Sequence, residues 1–522
     1  MAAPNRKAIL LFGIVNASLF CILQPLWEGF DEPFHYGYIE TLWQTGRLPV
    51  LGRTLLPSDV FASFPLAPMS HVVHVWIPES TVYSDWFALP EAEKERRRRQ
   101  LNLLRPGPGT SARPNYEAHQ TPLPYLLLAP LDWSMASVPM PVRVLVLRLF
   151  AALSTVVLLF YGTTALCRVL EVPERFTNTV LFMVFCSEML YATTAHVGND
   201  WLAVGVGAPF FASLATFVRN ADRRSFLRVA AWLAAGLLAK AYFLAFALLT
   251  AGVAASLLWR RRTRVSALIP GAMLVLVLAG PWYVRNVALY GNVSGTHEEF
   301  NGVGVRQALA AAPRIDWLAT SGFLARGSLW MGNNSFGTFS RTTLNAMLGL
   351  VALGMAAWCG RRRTIQPAER AVFAGILLFS VAVAYACCAA FVFRHGSEAG
   401  APPWYTQVLL APVLVLVCLG LSRWKRMGAA VAAVNLTLWA WVLVATWAFK
   451  LFPLYSGNGS AAIRARDVWN WYAHNAAAHA RDLSLTAMAP APWLYAGLLV
   501  SVTLTVALGA LLVRALIQDR SA

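Results

Sequence analysis

The chain has 522 residues, of which 57% are hydrophobic and 13% are charged, and its mean hydropathy is +0.53. A soluble globular domain has about 25% charged residues, so the composition excludes that class and predicts a polytopic membrane protein. The net charge of +18 lies in short Lys and Arg clusters between apolar runs. It therefore indicates membrane topology and predicts no nucleic-acid partner.

Most apolar runs are long enough to cross a bilayer once as a helix. Arg6 and Lys7 precede the first run, so the positive-inside rule places the N-terminus in the cytoplasm. The later basic clusters, including Arg361, Arg362 and Arg363, fall in alternate loops between spans, as the positive-inside rule requires. Ten runs are predicted to cross the membrane once each. They are 8–26, 142–166, 176–195, 201–218, 265–284, a run ending near 360, 371–393, 404–422, 427–449 and 491–516.

The run 229–259 has about 31 residues, roughly 46 Å as one helix, against a hydrocarbon core of about 30 Å. Basic residues flank both of its ends, which therefore share the cytoplasmic side. That requires two crossings, so we predict two short helices that meet near Lys240. The total is about 12 transmembrane helices, an all-α membrane bundle with both termini in the cytoplasm.

Large extracytoplasmic loops are expected at about 27–141, 285–341 and 450–490. We divide the chain into a catalytic transmembrane module, 1–422, and C-terminal helices, 423–522. The charged run at 91–100 is either a surface helix on anionic headgroups or a solvated helix, and the sequence leaves both open.

The functional groups that a catalytic site needs all fall on the predicted outer side. An acidic and aromatic stretch, 26–50, follows the first span directly, and further polar residues come at the later outer turns. Intramembrane and interfacial ionisable residues mark functional sites by default. The candidates are Asp31, Glu32, His35, Tyr116, Glu117, His119, Gln120, Glu188, Asn199, Asp200, Lys240, Arg285 and Arg394.

Five stretches in this order resemble the GT-C superfamily of membrane glycosyltransferases, especially bacterial relatives of protein O-mannosyltransferases and lipid A aminoarabinose transferases. They are DEPFHYGYIETLWQTGRLPV (31–50), YEAHQTPLPYLLLAPL (116–131), HVGNDWLA (196–203), GLLAKAYF (236–243) and PWYVRN (281–286). The resemblance implies a GT-C-like fold and a polyprenyl-phosphate-linked sugar donor. It also implies a lipid, glycan or protein acceptor and inversion at the anomeric carbon. The C-terminal third matches nothing assignable.

The resemblance matches Asp31 to the superfamily's catalytic aspartate, a base for the acceptor hydroxyl. Glu32 either assists it or is a solvated neighbour. Arg285 and then Lys240 are our choices for the donor phosphate, with Gln120 beside them. The alternatives are a span-ending anchor for Arg285 and an interfacial side chain for Lys240. Substrate contacts are assigned to His35, Tyr116, Asn199, Asp200 and Arg394, although Asn199 and Asp200 also suit a helix cap.

His119 and Glu117 leave open a divalent metal ion as cofactor. The rival function is a secondary transporter or lipid flippase, in which Glu188 and Lys240 would bind ions or substrate. A catalytically inactive membrane scaffold is a third reading. By resemblance, we expect a bacterial inner-membrane enzyme with its active site outside.

Overall fold

A computed structural model of the chain describes residues 6–360, 365–396, 400–458 and 465–518. Among them, ten helices are long and apolar enough to cross a membrane, which confirms a polytopic helical bundle. Arg361, Arg362 and Arg363, used above for topology, lie outside the described residues. The ten ranges are Arg6–Leu23, Met140–Val169, Asp200–Asn220, Ala241–Trp259, Val265–Tyr290, Arg341–Cys359, Pro367–Phe393, Pro403–Ser422, Lys425–Tyr455 and Ala491–Gln518.

The 25 α-helices of the described residues are numbered in chain order. They are α1 Arg6–Leu23, α2 Glu32–Thr45, α3 Ser58–Ser63, α4 His71–Trp76, α5 Tyr83–Ala88, α6 Glu91–Leu103, α7 Leu123–Ser134, α8 Met140–Val169, α9 Glu174–Phe185, α10 Glu188–Thr194, α11 Asp200–Asn220, α12 Arg223–Ala239, α13 Leu244–Trp259, α14 Val265–Tyr290, α15 His297–Phe300, α16 Val305–Ala311, α17 Trp317–Gly327, α18 Arg341–Cys359, α19 Pro367–Phe393, α20 Leu410–Ser422, α21 Lys425–Thr446, α22 Phe452–Tyr455, α23 Ala465–Ala473, α24 Ala476–Thr486 and α25 Ala491–Gln518.

The other two predicted spans form shorter helices, which accounts for ten long helices where about twelve crossings were expected. The third span is divided into α9 and α10, of 12 and 7 residues, because the helix is interrupted at Cys186 and Ser187. The fifth span is α12, whose 17 residues reach about 26 Å. The predicted break at Lys240 is confirmed, since this residue has an extended backbone (φ −160°, ψ 137°) between α12 and the 3-10 turn Ala241–Phe243.

Three segments lie together at one end of the bundle, here called the loop end: residues 24–139, residues 291–340, and residues 452–458 with 465–490. The Ser70 hydroxyl donates to the Asn334 carbonyl (2.7 Å), and Trp86 Nε1 donates to Thr486 Oγ1 (3.2 Å). Two small sheets stiffen the first segment: β1 Leu55–Pro57 runs antiparallel to β4 Thr110–Pro114, and β2 Pro68–Met69 runs parallel to β3 Thr81–Val82.

The short basic connections meet at the opposite end of the bundle. Arg219 of α11 donates to Glu171 (2.8 Å) and to Gln366 beside α19 (2.7 Å). Arg423 pairs there with Glu369 (2.9 Å), and Arg6 with Glu174 (3.2 Å). These arginines lie in short connections between helices, which are the loops that the positive-inside rule counts.

The C-terminal helices are joined to α1 through a buried amide. Asn16 Oδ1 accepts hydrogen bonds from Trp447 Nε1 (3.2 Å) and from the Ser501 hydroxyl of α25 (2.6 Å). A buried polar side chain needs such partners in an apolar interior. The division at residue 422 stays a prediction.

Candidate active site

Asp31 lies where the chain leaves the first span and enters α2. It occupies the N-cap position of α2 in the left-handed region (φ 55°, ψ 17°), which Asp tolerates better than most residues. The preceding Phe30 stacks on Trp404, with ring centroids 4.0 Å apart. The Tyr116 hydroxyl donates to Asp31 Oδ1, so one carboxylate oxygen is held by Tyr116 while the backbone beside it is anchored by the Phe30 ring.

A chain of hydrogen bonds joins five other predicted residues to one another, and it begins at Glu117, the neighbour of Tyr116 in the sequence. Gln120 Nε2 donates to Glu117 Oε2 (2.6 Å), and Asn199 Nδ2 donates to Gln120 Oε1 (2.7 Å). Lys240 Nζ in turn donates to Asn199 Oδ1 (3.2 Å) and to Asp200 Oδ2 (2.5 Å). Residues from three distant segments therefore form one buried polar cluster.

Burial and neighbouring charges shift the pKa values of the acids in this cluster. Burial raises the pKa of Asp31, while the Tyr116 hydrogen bond and the positive charge of Lys240 partly oppose the rise. Burial, followed by the charge of Asp31, raises the pKa of Glu117 to about 8. Near neutral pH, Glu117 is thus mostly protonated.

Lys240 is positioned by the break between α12 and α13. Its ammonium lies 4.6 Å from the ring centroid of Tyr405 and 5.8 Å from that of Tyr242. The extended backbone directs the side chain toward Asn199 and Asp200 at the start of α11. An interfacial side chain would extend toward solvent at the membrane surface. Lys240 is instead buried and paired with Asp200. Asn199 is the N-cap residue of α11 and Asp200 is its first residue, but within the described residues this helix start has no capping hydrogen bond from a side chain.

His35 lies one turn after Asp31 on α2, as the i, i+4 spacing requires. Its Nδ1 is 2.8 Å from the Tyr125 hydroxyl and 3.9 Å from Glu117 Oε2. Burial and the charge of His196 hold the pKa of His35 well below its usual value. His35 therefore lies in the cluster as a neutral side chain.

Glu32 points away from this cluster and is fully paired. Arg148 of α8 donates to both of its carboxylate oxygens (2.7 and 2.5 Å), and the Val197 amide donates to Oε1 (2.9 Å). The Arg148 pair holds the pKa of Glu32 below its ordinary value despite burial. These contacts favour a structural role, in place of the catalytic or solvated role expected for Glu32.

Arg285 lies beside the cluster rather than within its hydrogen-bond chain. Its Nη2 donates to the Pro49 carbonyl (2.7 Å), and its guanidinium stacks 4.7 Å from the Trp282 ring centroid. Burial raises the pKa of Tyr38, and the positive charge of Arg285 partly opposes that rise. The Tyr38 hydroxyl donates to the Gln120 carbonyl (3.3 Å). Arg394 is exposed at the end of α19, and its substrate contact stays a prediction.

The two predicted metal ligands, His119 and Glu117, both contact the side-chain amide nitrogen of Gln120. His119 Nδ1 is 2.8 Å from the Tyr116 carbonyl, and Gln120 Nε2 lies 3.3 Å from His119 Nε2 and 2.6 Å from Glu117 Oε2. Burial lowers the pKa of His119 to about 4. Over the described ranges, no three His, Cys, Asp or Glu side chains are grouped as a metal would need. The divalent metal ion therefore stays an untested expectation.

Sequence reasoning missed three residues at or behind this site. Tyr405 covers Lys240, and His297 brings its ring to 6.5 Å from Tyr116 and 6.3 Å from His119. Neither belongs to a pattern that a single sequence reveals. Arg148 had a usable signal, because an arginine within a membrane span requires a buried partner.

Two solved structures resemble the chain. No family model and no curated protein matches the chain. The chain is similar to ArnT. Crystal structures of ArnT from Cupriavidus metallidurans, one bound to undecaprenyl phosphate and one in the apo state, are each 14% identical to it with a TM-score of 0.46. The matches cover 98% and 97% of this chain, and 76% and 74% of ArnT. The likeness concerns the fold and carries no residue roles.

Proposed function

We propose that this protein is a GT-C-type glycosyltransferase that moves a sugar from a polyprenyl-phosphate donor to an acceptor hydroxyl. The observation that carries the proposal is the position of Lys240. This buried cation, at the break between α12 and α13, is linked by hydrogen bonds through Asn199 and Gln120 to Glu117. Glu117 adjoins Tyr116, whose hydroxyl donates to Asp31. A carboxylate base and a cation for a phosphate leaving group are the two charges that this transfer needs.

In the proposed reaction, the acceptor hydroxyl oxygen attacks the anomeric carbon as Asp31 takes its proton. The bond between the anomeric carbon and the phosphate oxygen breaks, and polyprenyl phosphate leaves with the electron pair. A single displacement inverts the anomeric configuration. Tyr116 holds one oxygen of Asp31 through its hydrogen bond, so the other oxygen is left to face the acceptor.

The leaving phosphate gains negative charge during this step, and cationic groups stabilise it. Lys240 is our principal phosphate ligand, because it shares a cluster with Asp31. Asp200 is its counter-ion before the donor binds. Arg285, with Nη1 buried and not hydrogen-bonded, is assigned to the edge of the phosphate site near Gln120.

The distribution of charge also supports an enzyme over a transporter. A transporter needs ionisable groups along a central pathway. Glu188, the acid proposed for that role, instead accepts hydrogen bonds from the Met331 and Gly332 amides of the loop end (3.0 and 3.1 Å). The cluster and the basic connections lie at opposite ends, which supports an extracytoplasmic active site in a plasma membrane.

Binding of a long-chain polyprenyl monophosphate to the purified chain in detergent tests the donor site, with the unphosphorylated polyprenol as control. We expect the monophosphate to bind at least tenfold more tightly, because a charged hydrogen bond contributes about 1.5–3 kcal/mol. Equal affinity for the two lipids would remove the phosphate site from the proposal.

A further inference from the structure

A crevice whose lining does not include Asp31 lies between the first and third segments of the loop end. It opens to the surface, and its space together with the open solvent at its mouth is about 380 Å³. Its walls come from residue 26 after α1, from residues 66–68, from α5 and α6, from the start of α8 and from residues 485–488 at and after the end of α24. They are mostly apolar and include Leu26, Leu66, Trp86, Leu101 and Met488, with Arg98 as the charged side chain.

Arg98 differs from the three arginines next to it on α6. Arg96 and Arg97 both pair with Glu93 (2.7 and 2.8 Å), and Arg99 pairs with Glu95 (3.5 Å). Arg98 donates to the Ala487 carbonyl (3.1 Å), and no carboxylate in the described part of the chain pairs with it. Burial alone lowers its pKa. A guanidinium remains charged in proteins, so a partly buried one without a counter-ion calls for an anion.

The crevice lies at the level where the membrane helices end. The Met488 amide donates to the Ile22 carbonyl of α1 (2.9 Å), and Leu26 follows α1 by three residues. Leu103 follows Arg98 by five residues and is 75% exposed, and Trp493 follows Met488 by five residues and is 72% exposed. Exposed tryptophan at helix ends is typical of the membrane interface, where lipid phosphates lie.

We propose that this crevice binds a phospholipid of the adjoining leaflet, with its phosphate on Arg98 and its glycerol and upper acyl chain against the apolar wall. A guanidinium binds two phosphate oxygens in a bidentate manner. The lipid phosphate is therefore the counter-ion that Arg98 lacks. The bound lipid would link the first segment to the third, since Arg98 belongs to α6 and its carbonyl partner follows α24.

Thermal unfolding of the delipidated full chain in detergent tests this site with three probes. The probes are phosphatidylglycerol, diacylglycerol with the same chains, and inorganic phosphate. We expect phosphatidylglycerol alone to raise the unfolding midpoint. Arg98→Gln should weaken its effect about tenfold in concentration, because one charged hydrogen-bonding group is lost. Arg99→Gln, on the same helix, should respond as the wild type does.

Two further arms keep the proposal falsifiable if Arg98→Gln does not fold. Leu66→Trp should fill the crevice and abolish protection while Arg98 remains. Native mass spectrometry of the wild type should retain a phospholipid that Leu66→Trp lacks. Equal protection by inorganic phosphate would overturn the lipid and leave a free-phosphate site. Equal protection by diacylglycerol would overturn the role of Arg98, and full protection of Leu66→Trp would overturn the crevice as the lipid site.

Discussion

At the scale of single residues, the account depends on the environment of Asp31. Its left-handed backbone places the carboxylate at the start of α2, and Tyr116 fixes one oxygen. Burial raises the pKa of Asp31 toward the range in which a carboxylate is an effective base. Neither feature depends on a metal ion.

Asp31→Asn should reduce transfer by at least about 10²-fold, because an amide cannot accept the acceptor's proton. Binding of polyprenyl monophosphate should change little, since Asn keeps the oxygen that Tyr116 contacts. Turnover of a labelled donor in membranes measures the first effect. The matched control is Asp85→Asn, at an exposed acid of α5. Full turnover by Asp31→Asn would remove the base.

Lys240→Met should weaken binding of polyprenyl monophosphate at least tenfold and also destabilise the protein. The second effect follows because the carboxylate of Asp200 would remain buried without its partner, which costs about 3–5 kcal/mol. Lys240→Met combined with Asp200→Asn should recover stability but not binding. Recovery of both in the double variant would assign Lys240 a structural role only.

Glu117 should make stability depend on pH. Its pKa is about 8 in the folded protein and near 4.5 when unfolded, so the folded state binds the extra proton between these values. The free energy of unfolding therefore falls as pH rises from about 4.5 to 8. Glu117→Gln should lose less stability than the wild type between pH 6 and pH 9, as measured by the unfolding midpoint. Glu95→Gln, at an exposed acid, is the control, and parallel curves for all three proteins would contradict the assignment.

At the scale of elements, α2 is the helix that orients the site. Its first residue, Glu32, is bound to Arg148 of α8 and to the Val197 amide before α11. Arg148 also donates to the Gln24 and Pro25 carbonyls (2.7 and 2.8 Å). One guanidinium thus satisfies the end of α1 and the start of α2, which fixes the turn that carries Asp31.

Arg148→Met should destabilise the protein by about 3–5 kcal/mol, because it leaves Glu32 as an unpaired buried charge. Adding Glu32→Gln should recover much of that loss, and transfer should return with folding. Chemical unfolding and donor turnover of both variants measure these effects. A stable double variant without transfer would instead give Glu32 a catalytic role.

Local patterns predicted the helices and selected the candidate residues, of which the structure places several close together. The basic ends of 229–259 required a break at Lys240, and the acids after the first span identified Asp31. The partners of these residues could not be predicted, because they depend on how distant segments pack. The Asp200 and Tyr405 contacts of Lys240 arise from helix packing. The position of Arg285 depends on the course of the chain near Pro49, where the sequence has no periodic pattern.

At the scale of the whole molecule, the three segments of the loop end are joined around buried acids. Glu28 accepts hydrogen bonds from Tyr83 (2.9 Å), Ser335 and Tyr455 (3.4 Å), one from each segment. Burial raises the pKa of Glu28 to about 7. The segments of the loop end are thus one connected layer over the helices, and the proposed site is formed where α2, α11 and α12 reach it.

The central claim is transfer of a sugar from a polyprenyl phosphate at this layer. Mass spectrometry of envelope lipids and glycans, comparing cells with and without the gene, tests it most directly. We expect cells without the gene to lack one sugar mass on an envelope acceptor and to accumulate the polyprenyl-phosphate-linked form of that sugar. An unchanged acceptor and an unchanged donor pool in those cells would contradict the claim.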